Sequence, residues 1–471
     1  METVAYNCLP ATMTPDLKGL RYYLPLNCPK ADQKHVFYAH NADSRCIMPG
    51  PDAGFGCCRS NLHIAWPKFV QAMWMASNDG GLAAVAYGPC TVKAKAGGRE
   101  QTFKVTTDYP FRDAVTIELV AGGGMFPLYV RIPSWAKGNA EAGSFRKIRQ
   151  IWKVGDRVKL DFASEVSVQK GWNYDSAVVR KGALLYSWNV PARPKQVGDR
   201  GNGFVTCELN PLVPWNVALV LPKQGDAAAD IVAVDDGKAI PAQPFVSTAA
   251  PVKLRVKGCL TKEVRWGLYR YEAPGTAVEP PPSPIRAPIE PCTLELVPLA
   301  CTQTRITFFP WAEADDAKVD PRAKVYASDI KPPDCVARAS YCFGGDSVDA
   351  IVDNRSPDGP RDRSMPRFTT WDHKGGSEWV RLDFAQEKDV SSVEVYWFDD
   401  GKGCAVPVSW RVQVKDASGK WVDQAAKNGY PVKKDCFVRA DLAHPVRTKS
   451  LRIAFVQDPD HAAGMWEARV K

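Results

Sequence analysis

The stretch AVTIELVAGGGMFPLYVRIPSWAKGNAEAGSFRKIRQIWKVGDRVKLDF, residues 114–162, decides the fold class. It holds four short apolar-rich runs, AVTIELV, FPLYVRI, IRQIWKV and RVKLDF, broken by Gly, Pro and Asp. Such runs, with turn residues at close intervals, are the pattern of an antiparallel β-sandwich. The pattern extends back through QTFKVTTD and LAAVAY to about residue 78, and a β-sandwich is expected over 78–176. AVVRKGALLYSWNV and VPWNVALVL continue it, giving a second β-sandwich over 177–312. That block closes with a proline-rich run, EAPGTAVEPPPSPIRAPIEP, and a last strand, TRITFFP. Repeated proline favours an extended connector along a surface over a central strand.

Residues 1–77 differ in texture. In CCRSNLHIAWPKFVQAMWMAS, apolar residues Leu62, Trp66, Phe69, Val70, Met73 and Trp74 recur at three-and-four spacing, which predicts one amphipathic helix. Ser60 or Asn61 is its expected cap, with Pro67 near the first turns or kinking it. At the other end, after the charged linker AEADDAKVDPR, the block 318–471 reads as β again: WVRLDF, SSVEVYWF, WRVQVKD and SLRIAFV alternate apolar and polar residues.

Composition bounds the function. The 471 residues carry 61 Lys+Arg against 52 Asp+Glu, a net charge of +9, with 45% hydrophobic residues. That is an ordinary globular balance, and no run of five or more Lys/Arg marks a nucleic-acid groove, so no nucleic-acid partner is expected. No apolar stretch reaches membrane-spanning length and no signal peptide is visible at Met1. The 14 cysteines fall irregularly, neither as a disulfide framework nor as a zinc ribbon, which favours a reducing, cytoplasmic compartment.

The adjacent Cys57-Cys58 pair, just before the predicted helix, stands apart. Free backbone N–H groups there favour a thiolate, suited to a nucleophile or a metal ligand; the alternative is two buried structural thiols. His35 and His40 share the loop upstream, while His63 is expected to be a packing residue. In FTTWDHKGGSEWVRLDF, Trp371, Asp372 and His373 combine an aromatic face with polar groups, a pairing that suits sugar recognition. Trp379 is expected in the core.

These residues carry two resemblances. FGCCRSNLHIAWPKFVQAMWMAS, GLAAVAYGPC, FPLYVRIPSWA and WKVGDRVKLDF, with YNCLPATMTPDLKGLRYY before and RKGALLYSWNV to TRITFFP after, resemble glycoside hydrolase family 127 over about 1–312. The family is typified by β-L-arabinofuranosidases. The resemblance implies an (α/α)6 barrel, of which 1–77 is the C-terminal remnant, followed by two β-sandwiches. It also implies a zinc ion held by one Glu and three Cys, one of which is the nucleophile of a retaining double displacement. Carried over, Cys57 is nucleophile and ligand, Cys58 a second ligand, and Tyr22 a substrate contact, with Tyr23 the other register. The family's Glu-x-Cys pair and acid/base Glu precede the stretch matched by METVAYN, and Glu2 does not replace them. The chain therefore resembles the C-terminal portion of such an enzyme, with its true N-terminus missing, and inactive alone.

Residues 341–471 resemble the discoidin-like (factor 5/8 type C) domains through AIVDN, FTTWDHKGGSEWVRLDF, VSSVEVYWF, WRVQVKDASGKW and WEARV. A galactose-binding-like jelly roll, a glycan partner and in some members a calcium ion are implied. The alternative to an enzyme portion is a non-catalytic carbohydrate-binding β protein; a third is a cysteine-rich adhesion protein with disulfides. The exact sugar and the oligomeric state are not legible.

Overall fold

The computed structural model describes residues 1–32, 46–54, 56–136, 140–261, 266–268, 278–286, 290–326, 335–343, 346–352, 357 and 367–471. The chain divides into two compact units, Met1–Ile330 and Lys331–Lys471. The protein is mainly β, as the turn-punctuated apolar runs predict.

In the first unit, two four-stranded sheets make a sandwich. One orders Trp74–Ala76, Leu82–Ala84, Gly124–Arg131 and Phe145–Trp152; the other Cys90–Ala96, Arg99–Thr107, Ala114–Ala121 and Arg157–Asp161. Alternation sends Phe103, Val105, Val115, Ile117 and Leu119 inward against Phe126, Leu128, Val130 and Trp152, all buried. Phe103 meets Trp152 and Phe126 edge-on, with ring centres 6.1 and 6.3 Å apart.

A ten-stranded sheet follows, in the order Trp311–Ala314, Val217–Pro222, Val252–Leu260, Glu290–Pro298, Leu184–Asn189, Val178–Lys181 and Val166–Gln169, with three short strands beside this path. Trp311–Ala314 pairs parallel with Val217–Pro222, and Val325–Tyr326 pairs parallel with Glu290–Pro298. The residues read as a linker are thus held by the first unit, and the division falls at 330/331, later than 318.

Within 1–77, the described residues form short helical pieces: Val4–Cys8, Leu9–Ala11, Gly56–Leu62 and Ala65–Gln71. The single amphipathic helix predicted from the sequence is broken by a turn at His63 and Ile64, and Pro67 sits in the first turn of the second piece. That placement suits a residue without a backbone N–H. His63 is exposed, correcting its reading as a packing residue. Two buried asparagines stitch this region to the sheet behind it. Asn7 donates to Ala183 O (2.9 Å) and accepts from Leu185 N (2.8 Å). Asn27 accepts from Thr307 N (2.8 Å) and Phe308 N (2.9 Å) and donates to Phe308 O (3.0 Å).

The second unit is a seven-stranded roll. Its long strands Ser377–Phe398 and Phe437–Val456 bend where their register shifts, between Asp383 and Lys388 and between Val390 and Ser392. The first half of Ser377–Phe398 pairs with Cys335–Ala339 and residues 450–456; the second half pairs with 437–441 and Gly464–Val470. Val380, Leu382, Val393, Val395, Trp397, Ile453 and Met465 fill the core between. Trp379 is not among them: it alternates with Val380 and faces outward, so its reading as a core tryptophan is corrected.

Candidate functional sites

The cysteine site is built by backbone pairing. Leu20 and Gly50 exchange hydrogen bonds (3.0 and 3.1 Å), and Tyr23 N donates to Cys46 O (2.9 Å), so residues 20–23 lie along 46–54. Gly54 adopts φ +61°, and a Cβ there would fall 2.1 Å from the Tyr22 ring. Only glycine lets that ring lie on the turn. Two residues later begins Gly56–Leu62, with Cys57 exposed in its first turn. Tyr22 and Cys57 therefore flank one turn–helix junction. Arg59 fastens it, donating to Pro51 O and Asp52 Oδ1 (3.1 Å each), while Arg200 Nε holds Asp52 Oδ2 at 2.7 Å. Arg200 first, and then Arg59, keep the Asp52 carboxyl below its ordinary range. Arg21, next to Tyr22, is 2% exposed, and its Nε and Nη2 find no hydrogen-bond partner among the described residues. The Cys58 side chain, His35 and His40 lie outside the described residues.

No group of three or more His, Cys, Asp or Glu able to hold a metal ion exists among the described residues. With a single described thiol at the junction, they do not fit the closed four-ligand set of a zinc site. Nor does any such group in the described residues of the second unit offer a calcium ligand set. Burial pushes Cys259, Cys292, Cys335 and Cys404 up to about 12, so these are inert protonated thiols.

The second candidate lies in loops of the C-terminal unit. Trp371 is 42% exposed and lies flat on Gly403, where a Cβ would meet its ring at 1.5 Å. Beneath it, Asp400 Oδ1 accepts from Lys402, Gly403 and Cys404 backbone N–H groups (2.9–3.0 Å), fixing that turn. His373 stacks on Tyr341, with ring centres 3.6 Å apart at 15°, and its Nδ1 lies 2.9 Å from Glu378 Oε1. The Tyr341 hydroxyl donates to Asp372, and that bond pushes the phenol up to about 12. Trp371, Asp372 and His373 thus form an apolar face with a polar rim. Sequence reading missed Tyr341 and Gly403, because strand pairing across 30 and more residues brings them in. Under a glycan-binding reading of this loop, Gly403→Ala is expected to displace the Trp371 ring and weaken binding about tenfold, as Trp371→Ala would, with the melting transition retained. Glycan titrations beside thermal melts check this.

Residues 81–164, which span most of the first unit's sandwich, match the family model of the β-L-arabinofuranosidase GH127 middle domain. Among solved structures, the chain is similar to a GH127 β-L-arabinofuranosidase from Geobacillus stearothermophilus T6. The identity is 19% over 67% of this chain and 46% of that one, with a TM-score of 0.43. A second GH127 β-arabinofuranosidase gives 15% identity over 66% and 46%, with a TM-score of 0.45. The family 32 carbohydrate-binding module of C. perfringens NanJ, solved with galactose, gives 13% over 29% of this chain and 93% of that module, with a TM-score of 0.24. The chain spans about half the length of the GH127 structures it matches. Among the described residues, no helix is long and apolar enough to cross a membrane.

Proposed function

We propose that this chain is the C-terminal portion of a retaining glycoside hydrolase acting on terminal β-L-arabinofuranosides or related plant-glycan linkages. The GH127 middle-domain match at 81–164 carries this reading. In the proposed chemistry, the Cys57 thiolate attacks the anomeric carbon as the glycosidic C–O bond breaks, and the leaving oxygen takes a proton from a general acid. Water then displaces the sulfur, returning the thiolate and releasing the sugar with retained configuration. Tyr22, whose ring lies against Gly54, is proposed to contact the sugar. Zinc dependence is proposed for the complete enzyme by resemblance to its family alone.

The exposed Cys57 suits a nucleophile that a substrate must reach. The purified chain is expected to carry far less than one zinc per chain and to leave aryl β-L-arabinofuranoside intact. Metal analysis after dialysis checks the first, and stoichiometric tightly held zinc would overturn it. The C-terminal unit is proposed to bind a neutral glycan at Trp371, Asp372 and His373 with millimolar affinity. That site is formed entirely within its own unit, which also suits the reading of a non-catalytic carbohydrate-binding protein. Glycan binding without hydrolysis by the complete protein would favour that reading.

A further inference from the structure

A second surface of the C-terminal unit lies on strands, away from the Trp371 loop. Register aligns Arg338 with Arg381, Arg381 with Arg452, Arg452 with Gln413, and Gln413 with Asp423, one row across five strands. Val380, Leu382, Leu451 and Ile453 alternate with this row and point into the core, so the row faces outward. Flanking positions on the same face bring Trp379, Asp383, Arg411, Lys415 and Trp421.

Its carboxylates are already engaged. Asp383 is within 3.0 Å of both Arg338 and Arg381 and accepts from Ser450 at 2.6 Å. Asp423 takes Arg411 and Gln413 at 2.7 Å each. Arg452 is left over. Its guanidinium lies 4.1 Å from the ring centre of Trp379 and 4.3 Å from that of Trp421, and its Nε is buried with no hydrogen-bond partner among the described residues. Lys415 lies 5.4 Å from the Trp421 ring centre. Five cations against two carboxylates leave the face with a charge of +3.

Two indole rings hold the guanidinium in place, and the Nη edge of a guanidinium matches a carboxylate bidentately. We propose that this face is a second glycan-binding surface, taking a carboxylate-bearing polysaccharide of the polyuronate class, with one uronate on the Arg452 edge and neighbours meeting Lys415 and Arg381. Charge spacing separates this ligand from nucleic acid. Duplex DNA carries one charge per about 1.7 Å of axis, and Asp383 and Asp423 on the face would oppose so dense an anion. A polyuronate carries one carboxylate per sugar ring and tolerates them.

The proposal stands apart from the GH127 reading and from the Trp371 site. It is tested on the full chain by titration with oligogalacturonate, neutral arabinan oligosaccharide and single-stranded DNA, at low and moderate salt. Oligogalacturonate is expected to bind, more weakly as salt rises, and Arg452→Gln should weaken it at least about tenfold. Arg452→Lys, which keeps the charge but loses the planar edge, should also weaken it, whereas Trp371→Ala should not. Lys415→Ala, at an exposed position, should cost about threefold and keeps the test decisive if Arg452 variants melt early. Unchanged affinity in Arg452→Gln, absent oligogalacturonate binding, or DNA binding as tight as oligogalacturonate would each overturn the proposal.

Discussion

Cys57→Ser, made in a complete enzyme that contains this portion, is expected to lower kcat by about 10³-fold or more, since a neutral hydroxyl is a far weaker nucleophile than a thiolate. Cys57 has the placement such a role needs: exposed, in the first turn of Gly56–Leu62, beside the turn that carries Tyr22 on Gly54. Removal of its side chain leaves the backbone of the junction intact, because Arg59, Asp52 and Arg200 fasten it through other groups. The measurement is kcat on an aryl β-L-arabinofuranoside with the variant's melting point alongside. A near-normal rate in a folded Cys57→Ser variant would remove the nucleophile assignment.

Asn27→Ala is expected to destabilise the first unit by about 3 kcal/mol or more, because it strands buried backbone groups that have no other partner in reach. Thr307 N–H and Phe308 N–H both end on Asn27 Oδ1, and Phe308 O accepts its amide. The residue is 5% exposed, so water does not replace these bonds cheaply. Asn27 thereby joins the irregular N-terminal segment to the sheet behind it, and its loss should loosen the segment that bears Tyr22. Urea unfolding followed by tryptophan fluorescence checks the stability. An effect below about 1 kcal/mol would mean that the segment is held by other contacts.

The fold was legible where alternation and turn residues coincide. Leu82–Ala84, Arg99–Thr107, Ala114–Ala121 and Gly124–Arg131 follow the apolar runs nearly to the residue. The helix reading failed at His63 because amphipathic spacing continues across a turn: Leu62 and Trp66 keep helical spacing though the backbone between them does not. Trp379 was misread on residue type, although its strand already held the answer. In WVRLDF it shares parity with Arg381 and Asp383, the outward face, and not with Val380 and Leu382. At the sites, residue types were visible but partners were not. Tyr341 reaches His373, and Gly403 reaches Trp371, through strand order that local patterns do not encode.

Under the proposed function, this chain holds one part of an arabinofuranosidase-type site. Hydrolysis of an aryl β-L-arabinofuranoside by the purified 471-residue chain, with zinc supplied, tests it most directly. The account predicts no release above buffer from a folded chain, and release once the Glu-x-Cys and acid/base residues of the family are supplied. Robust hydrolysis by the chain alone, lost in Cys57→Ser, would contradict it.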